Sequence, residues 1–257
     1  MKTIGLLCFF CYCFIPFSTL AQKPKVIEED LLRQLNKFVY WEGKINNYKP
    51  DGSSDSTENA IYEFGLKLKY YAGKCPDSLS RILGKIGGLS SDDGQMQILS
   101  WDTYSGGTQH TFENVIGYRS GQRTKFILDT TNNQGDYVYA YDKLFSLKVE
   151  RKTYYLATYY GIFDLYSRGE GIKIFSIEDG KLNDQVKLIK TKKGLRNKLY
   201  YSYNQLLTNS DILSYTTMEY DPKLKTITFP VISKGGLETD KTISYKFNGQ
   251  YFEKVKN

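Results

Sequence analysis

The feature that most constrains this chain is a change of period at Leu89. Before it, apolar residues recur at helical spacing. After it, they alternate with polar ones every second residue, as they must along a strand with one face on a core. The stretch Leu89–Phe112 opens the second regime. It holds a Ser91-Asp92-Asp93-Gly94 turn, a strand ending in Trp101, a Gly106-Gly107 reversal and His110, the single histidine. Asp93-Gly94 supplies residues able to take the positive φ of a tight hairpin. Met96, Ile98 and Ser100 then point one way, and Gln95, Gln97 and Leu99 the other. Beyond the reversal, Thr111, Glu113 and Val115 alternate with His110, Phe112 and Asn114.

The same alternation predicts strands over Gln95–Trp101, Thr108–Tyr118, Thr124–Leu128, Leu144–Glu150, Thr153–Tyr159 and Ile172–Ile177. A later set covers Val186–Lys190, Leu199–Tyr203, Ser214–Tyr220, Thr226–Pro230, Thr242–Phe247 and Gln250–Val255. Turn pairs such as Ser120-Gly121, Asp179-Gly180 and Asn248-Gly249 separate them. Runs joined so tightly pair antiparallel, because parallel strands need a long crossover. The expected fold is therefore α+β, mainly β: two N-terminal helices followed by an antiparallel meander. That meander could form a sandwich, a barrel or a partial propeller-like sheet. Ser100-Trp101-Asp102 is not repeated at the period of about 40 to 45 residues that a WD propeller requires.

Two helices precede the meander. Glu28, Glu29 and Asp30 suit the positive end of the first, whose stripe is Leu31, Leu35, Phe38 and Ile45, widened by Leu32 and Val39. Asp55 and Glu58 read as a capping box for a second helix from about Ser56 towards Gly73, with Ile61, Phe64, Leu68 and Tyr71 as its apolar face. Cys75-Pro76 should close it. Leu79–Gly88 reads as a connection anchored by Ile82 and Ile86.

Residues 1–21 have the pattern of a cleaved leader: Lys2, an uncharged apolar run Ile4–Phe17, and Thr19-Leu20-Ala21 before the expected cut. The run is shorter than the roughly 20 residues that cross a bilayer. No small residue precedes Cys11 or Cys13, so lipid anchoring is not expected. The expectation is export to the periplasm or the outside, with residues 22–88 as a helical segment and 89–257 as a β-rich region, in one domain or two. Cleavage would remove Cys8, Cys11 and Cys13 and leave Cys75 alone, which excludes internal disulfides and thiolate metal clusters. Removing Lys2 lowers the formal charge from +7 to +6, a mild basic balance that names no partner.

The segment Ser91-Asp92-Asp93-Gly94, a short strand, then Ser100-Trp101-Asp102-Thr103 and Gly106-Gly107-Thr108, resembles uncharacterised exported bacterial β-rich proteins. The ending Tyr245–Phe252 is similar in the same way. The resemblance implies neither an activity nor a cofactor.

Candidate sites follow from residue chemistry. Asp102, His110 and Glu113 are the catalytic candidates, weighed against plain turn chemistry. A Cys75–His110 pair is weighed against a thiol that merely packs. A two-carboxylate glycosidase would draw on Asp102, Glu113, Asp164 or Glu170. Lys187, Lys190, Lys192, Lys193, Arg196 and Lys198 form an acid-free basic run suited to an anionic polysaccharide or another envelope component, or to guarding a sheet edge. Nucleic acid is the less favoured anion. Two aromatic sets could stack sugars: Tyr154, Tyr155, Tyr159, Tyr160, Phe163 and Tyr166, and Tyr200, Tyr201 and Tyr203. In a strand, adjacent tyrosines divide between faces, so packing is the simpler account. Asp51–Asp55 and Thr130–Asp136 carry too few carboxylates for a calcium loop. No metal or cofactor is expected, because one histidine excludes paired-histidine sites and no phosphate-cradling glycine loop occurs. The leading expectation is a non-catalytic exported or envelope-associated binding protein. The alternatives are a carboxylate-dependent carbohydrate hydrolase or a structural partner of envelope proteins.

Overall fold

The computed structural model describes residues 24–46, 53–104, 107–129, 139–204 and 217–255. Three helices come first: α1 (Pro24–Asn46), α2 (Ser53–Lys74) and α3 (Pro76–Ile82), the last running into a 3₁₀ turn at Leu83–Ile86. The predicted connection after Cys75 is thus helical. Pro76 occupies the start of α3, where its missing N–H costs nothing, so it begins one helix as it ends another. Leu79, Ile82, Leu83 and Ile86 are buried along this short element.

The acids expected at helix starts have other roles. Helix α1 begins at Pro24, so Glu28 and Asp30 lie beyond its first turn. Glu28 instead accepts from Lys85 of the 3₁₀ turn at 2.7 Å, and Asp30 accepts from Lys67 at 2.7 Å and Tyr71 at 2.8 Å on α2. Helix α2 likewise starts at Ser53, which puts Asp55 inside the first turn rather than at the cap. There it meets the helix dipole instead of the N-cap amides. The predicted apolar face of α2 is buried as expected, together with Ile27 and Leu31 of α1.

Fifteen strands occur among the described residues, in three sheets. Sheet 1 runs β1 (Leu89–Ser90), β2 (Met96–Asp102), β3 (Phe112–Ser120), β4 (Arg123–Asp129). Sheet 2 is built on β5 (Ala140–Val149), β6 (Lys152–Ile162) and β7 (Ser167–Glu178). Beyond β7 lie β8 (Lys181–Asn183) and β11 (Lys198–Asn204). Sheet 3 contains β9 (Ile189–Thr191), β10 (Gly194–Arg196), β12 (Glu219–Asp221), β13 (Thr226–Ile232), β14 (Glu238–Phe247) and β15 (Phe252–Lys254). Its order is β10-β9-β15-β14-β13-β12. The chain is mainly β, its sheets are antiparallel hairpins, and no barrel closes among the described residues. The exception to antiparallel pairing is β15 beside β9, where the last strand slots into an edge made some sixty residues earlier.

The sheets stack as layers, with the helices outside sheet 1. On β2, Leu99 and Trp101 join Val115 of β3 under the helices. Met96 and Ile98 point the other way, onto Tyr155, Ala157, Tyr159 and Phe175 of sheet 2. On β6, Leu156 alternates with those residues and packs with Ile172 and Ile174 against Ile189, Ile227 and Phe252 of sheet 3. One period-two pattern therefore feeds two cores, and the Met96–Asp102 strand is apolar on both faces.

Glycines on β6 and β7 seat one cluster of aromatic rings. Gly161 and Gly169 are register partners on β6 and β7. A methyl on Gly161 would lie 2.8 Å from the Tyr139 ring, and one on Gly169 2.6 Å from Phe163. Tyr139 packs in turn on Tyr159 and Tyr200, at 4.7 and 5.8 Å between ring centres. The rings lie flat over backbone that carries no side chain of its own.

Candidate functional site

The site is assembled where the ends of β2 and β3 meet the ends of β5 and β6. A polar bridge sets that meeting. Ser100 donates to Asn114 Oδ1 at 2.5 Å, Asn114 Nδ2 donates to the Tyr139 carbonyl at 3.0 Å, and the Tyr141 amide donates to Ser100 Oγ at 2.8 Å. Asn114 is buried, so its full pairing is a requirement for seating sheet 1 on β5. From the other side, the His110 amide donates to the Ile162 carbonyl at 3.0 Å and hooks the β2–β3 connection onto the end of β6.

Between these anchors lies a cleft of about 310 Å³ lined by Ser100, Asp102, Tyr104, His110, Phe112 and Tyr160, among others. Asp102 holds both ends of its own loop: one oxygen accepts the Tyr104 amide at 2.8 Å and the other contacts His110 Nδ1. That contact fixes the imidazole and leaves Nε2 as the ring nitrogen for a ligand. The rings form a continuous series. Phe38 meets Tyr104 at 5.1 Å, Tyr104 meets His110 at 6.3 Å, His110 stacks on Phe112 at 6.2 Å, and Phe112 meets Tyr160 edge-on at 5.5 Å.

Of the three catalytic candidates, Asp102 and His110 come together and Glu113 does not. Glu113 pairs in register with Trp101, on the face turned to the helices, where it accepts from Lys69 at 2.6 Å. Cys75 packs against the helical core and is not among the residues lining the cleft. Asp164 closes a turn by accepting the amides of Tyr166 and Ser167, each at 2.7 Å. Those amide bonds, Tyr166 first, hold its carboxyl below the usual range.

Glu170 is fully buried, and among the described residues no lysine or arginine forms an ion pair with it. It accepts from the Tyr203 hydroxyl at 2.7 Å, the Tyr201 hydroxyl at 2.9 Å, and the amides of Thr217 and Met218 at 2.6 and 2.8 Å. Burial pushes its carboxyl up, and these four donors only partly pull it back. Its role is to fasten the chain entering β12 onto β7 and β11. Tyr201 and Tyr203 are thereby accounted for, as is Tyr155, whose hydroxyl donates to Asp93 at 2.9 Å and ties the first hairpin turn to sheet 2.

The basic run surrounds the β9–β10 hairpin, and β10 is the outer strand of sheet 3. Lys187, Lys190, Lys192, Lys193 and Arg196 are exposed. Lys190 lies over the Tyr251 ring at 4.7 Å. Lys198 stands apart on β11, opposite Lys173, which Asp184 neutralises at 3.0 Å. On the outer face of sheet 3 a second cleft, about 470 Å³, carries Glu219, Glu238 and Asp240. Among the described residues no three histidine, cysteine or acidic side chains gather closely enough to hold a metal. The proposed loops at Asp51-Gly52 and Thr130–Asp136 and the leader at 1–21 lie outside the described residues, as do positions 214–216 of the expected strand Ser214–Tyr220.

No protein-family model, curated protein or solved structure matches the chain. The site is therefore read from its own chemistry. Ser100 and Asp102 share a strand face, and the pairing of Asp102 with Phe112 follows from the hairpin, so this half was accessible to sequence reasoning. Tyr160 and Ile162 were not, because they arrive from a different sheet.

Proposed function

We propose that this is an exported binding protein whose ligand is a carbohydrate held in the Asp102–His110 cleft. The observation that carries the reading is the run of rings around a fixed imidazole. Rings at Tyr104 and Tyr160 offer flat apolar faces for the C–H side of a sugar, buried Phe112 packs behind them, and His110 offers a hydrogen bond to a hydroxyl. The cleft volume suits one or two sugar rings. Export rests on the leader pattern of residues 1–21.

Binding fits better than hydrolysis for two reasons. The acids that the sequence offered as partners to Asp102 are dispersed: Glu113 is under the helices, Asp164 is in a turn, and Glu170 is buried with its acceptors filled. Ser100, the hydroxyl nearest to a nucleophile role, spends its donor on Asn114.

The test is a glycan array followed by calorimetry and a turnover assay on each hit. Binding without product release is expected. Tyr104→Ala and Tyr160→Ala should each weaken binding about tenfold, in line with the loss of one well-packed aromatic contact. Turnover of the bound glycan that Asp102→Asn abolishes would overturn the proposal, as would a hit whose affinity none of these variants changes.

A further inference from the structure

Helix α2 carries a second apolar row opposite its core. Ile61, Phe64, Leu68 and Tyr71 are buried. Tyr62, Leu66 and Tyr70, spaced by four, are 64%, 43% and 57% exposed. On a helix of 3.6 residues per turn Leu66 falls at the middle of the solvent face, with the two tyrosines on either side of it. Single exposed apolar residues are ordinary, but a contiguous row with two tyrosines has the composition of a contact surface. The Tyr70 ring is steadied edge-on by Tyr71 at 5.4 Å.

The charges around this row are ordered about the same point. Asp55, Glu58 and Glu63 all precede Leu66, and Lys67, Lys69 and Lys74 all follow it. Lys67 and Lys69 are held inward by Asp30 and Glu113. Lys74 is exposed. We infer that two copies of this chain associate through α2, antiparallel, about a two-fold axis at Leu66. Reversal of the second helix sets Tyr62 against the partner's Tyr70. It also brings the Glu58–Glu63 end beside the partner's Lys74. A parallel arrangement would lay acids on acids, so the charge order selects the antiparallel one. Such an interface uses the same patch on both copies and closes at two. One helix pair buries less than the roughly 1,600 Å² of a standard interface, so the dimer is weak and concentration-dependent.

Sedimentation equilibrium over a concentration series of the purified chain tests this. A monomer–dimer equilibrium is expected. Leu66→Glu should raise its dissociation constant at least tenfold, and Glu63→Lys should raise it several-fold. Combining Glu63→Lys with Lys74→Glu should bring it back towards the original value, because acid and base exchange places in both copies. All of these side chains face solvent, and unchanged circular dichroism confirms that folding is intact. A chain that stays monomeric to millimolar concentration overturns the inference. So does a dimer indifferent to Leu66→Glu, or a charge exchange that fails to rescue. A monomer captured by another protein through Tyr62 and Tyr70 overturns it too.

Discussion

At the scale of single residues, two carboxylates show how position reverses the meaning of the same chemistry. Asp30 is largely enclosed, which would raise its pKa, but Lys67, Tyr71 and Arg33 outweigh that and the net shift is downward. A lowered pKa means stability present above the usual carboxylate range and lost as pH falls through the folded value. Asp30→Asn should therefore melt at a lower temperature than the parent at pH 7, and the gap should close as the two are acidified. Glu170 has the opposite sign. Its pKa is raised, so the parent gains stability relative to Glu170→Gln as pH falls from the raised value to the ordinary 4.5. Glu170→Ala leaves two buried amides and two phenols without their acceptor. It should cost about 3 kcal/mol or more by urea unfolding, since each unsatisfied buried group costs about 1–3 kcal/mol. Glu170→Gln keeps one acceptor oxygen and should lose less. The sequence shows both acids but cannot show which one lacks a cation.

At the scale of elements, the β9–β10 hairpin illustrates why a charge run has two readings. An outer strand exposes unpaired backbone groups to other chains, and lysine is a common guard against such pairing. Replacing Lys192, Lys193 and Arg196 by threonine should shift stability by no more than about 0.5 kcal/mol, as surface changes usually do. Light scattering should nonetheless show faster aggregation at equal concentration. Unchanged aggregation together with loss of a salt-sensitive anionic ligand would instead favour an anion-binding patch. The helices carry a related lesson. Their apolar faces were readable from spacing, because a helix repeats every 3.6 residues whatever it packs on. Their starts were misjudged, because Glu28, Asp30 and Asp55 look like helix-start acids wherever they fall. Pro76 likewise looks like a stop until the helix that it starts is seen.

At the scale of the whole molecule, sheet 2 is shared between two cores, so damage on one side should be felt on the other. Leu156 is fully buried between sheets 2 and 3, while Trp101 reports from beneath the helices. Leu156→Ala should cost about 2–5 kcal/mol. The tryptophan fluorescence transition should move with the far-ultraviolet transition if the layers unfold together. Separate transitions would show that sheet 3 unfolds on its own. The sequence by itself determined the mainly β character, the antiparallel hairpins and the two long N-terminal helices, because period and turn chemistry act between near neighbours. It also paired Asp102 with the strand face that carries Ser100. Only the tertiary structure decided that the hairpins divide into three stacked sheets, that β15 inserts beside β9, and that Ile162 meets His110. Those contacts join residues of different hairpins, and they depend on which apolar faces fit one another, a property that no local pattern carries.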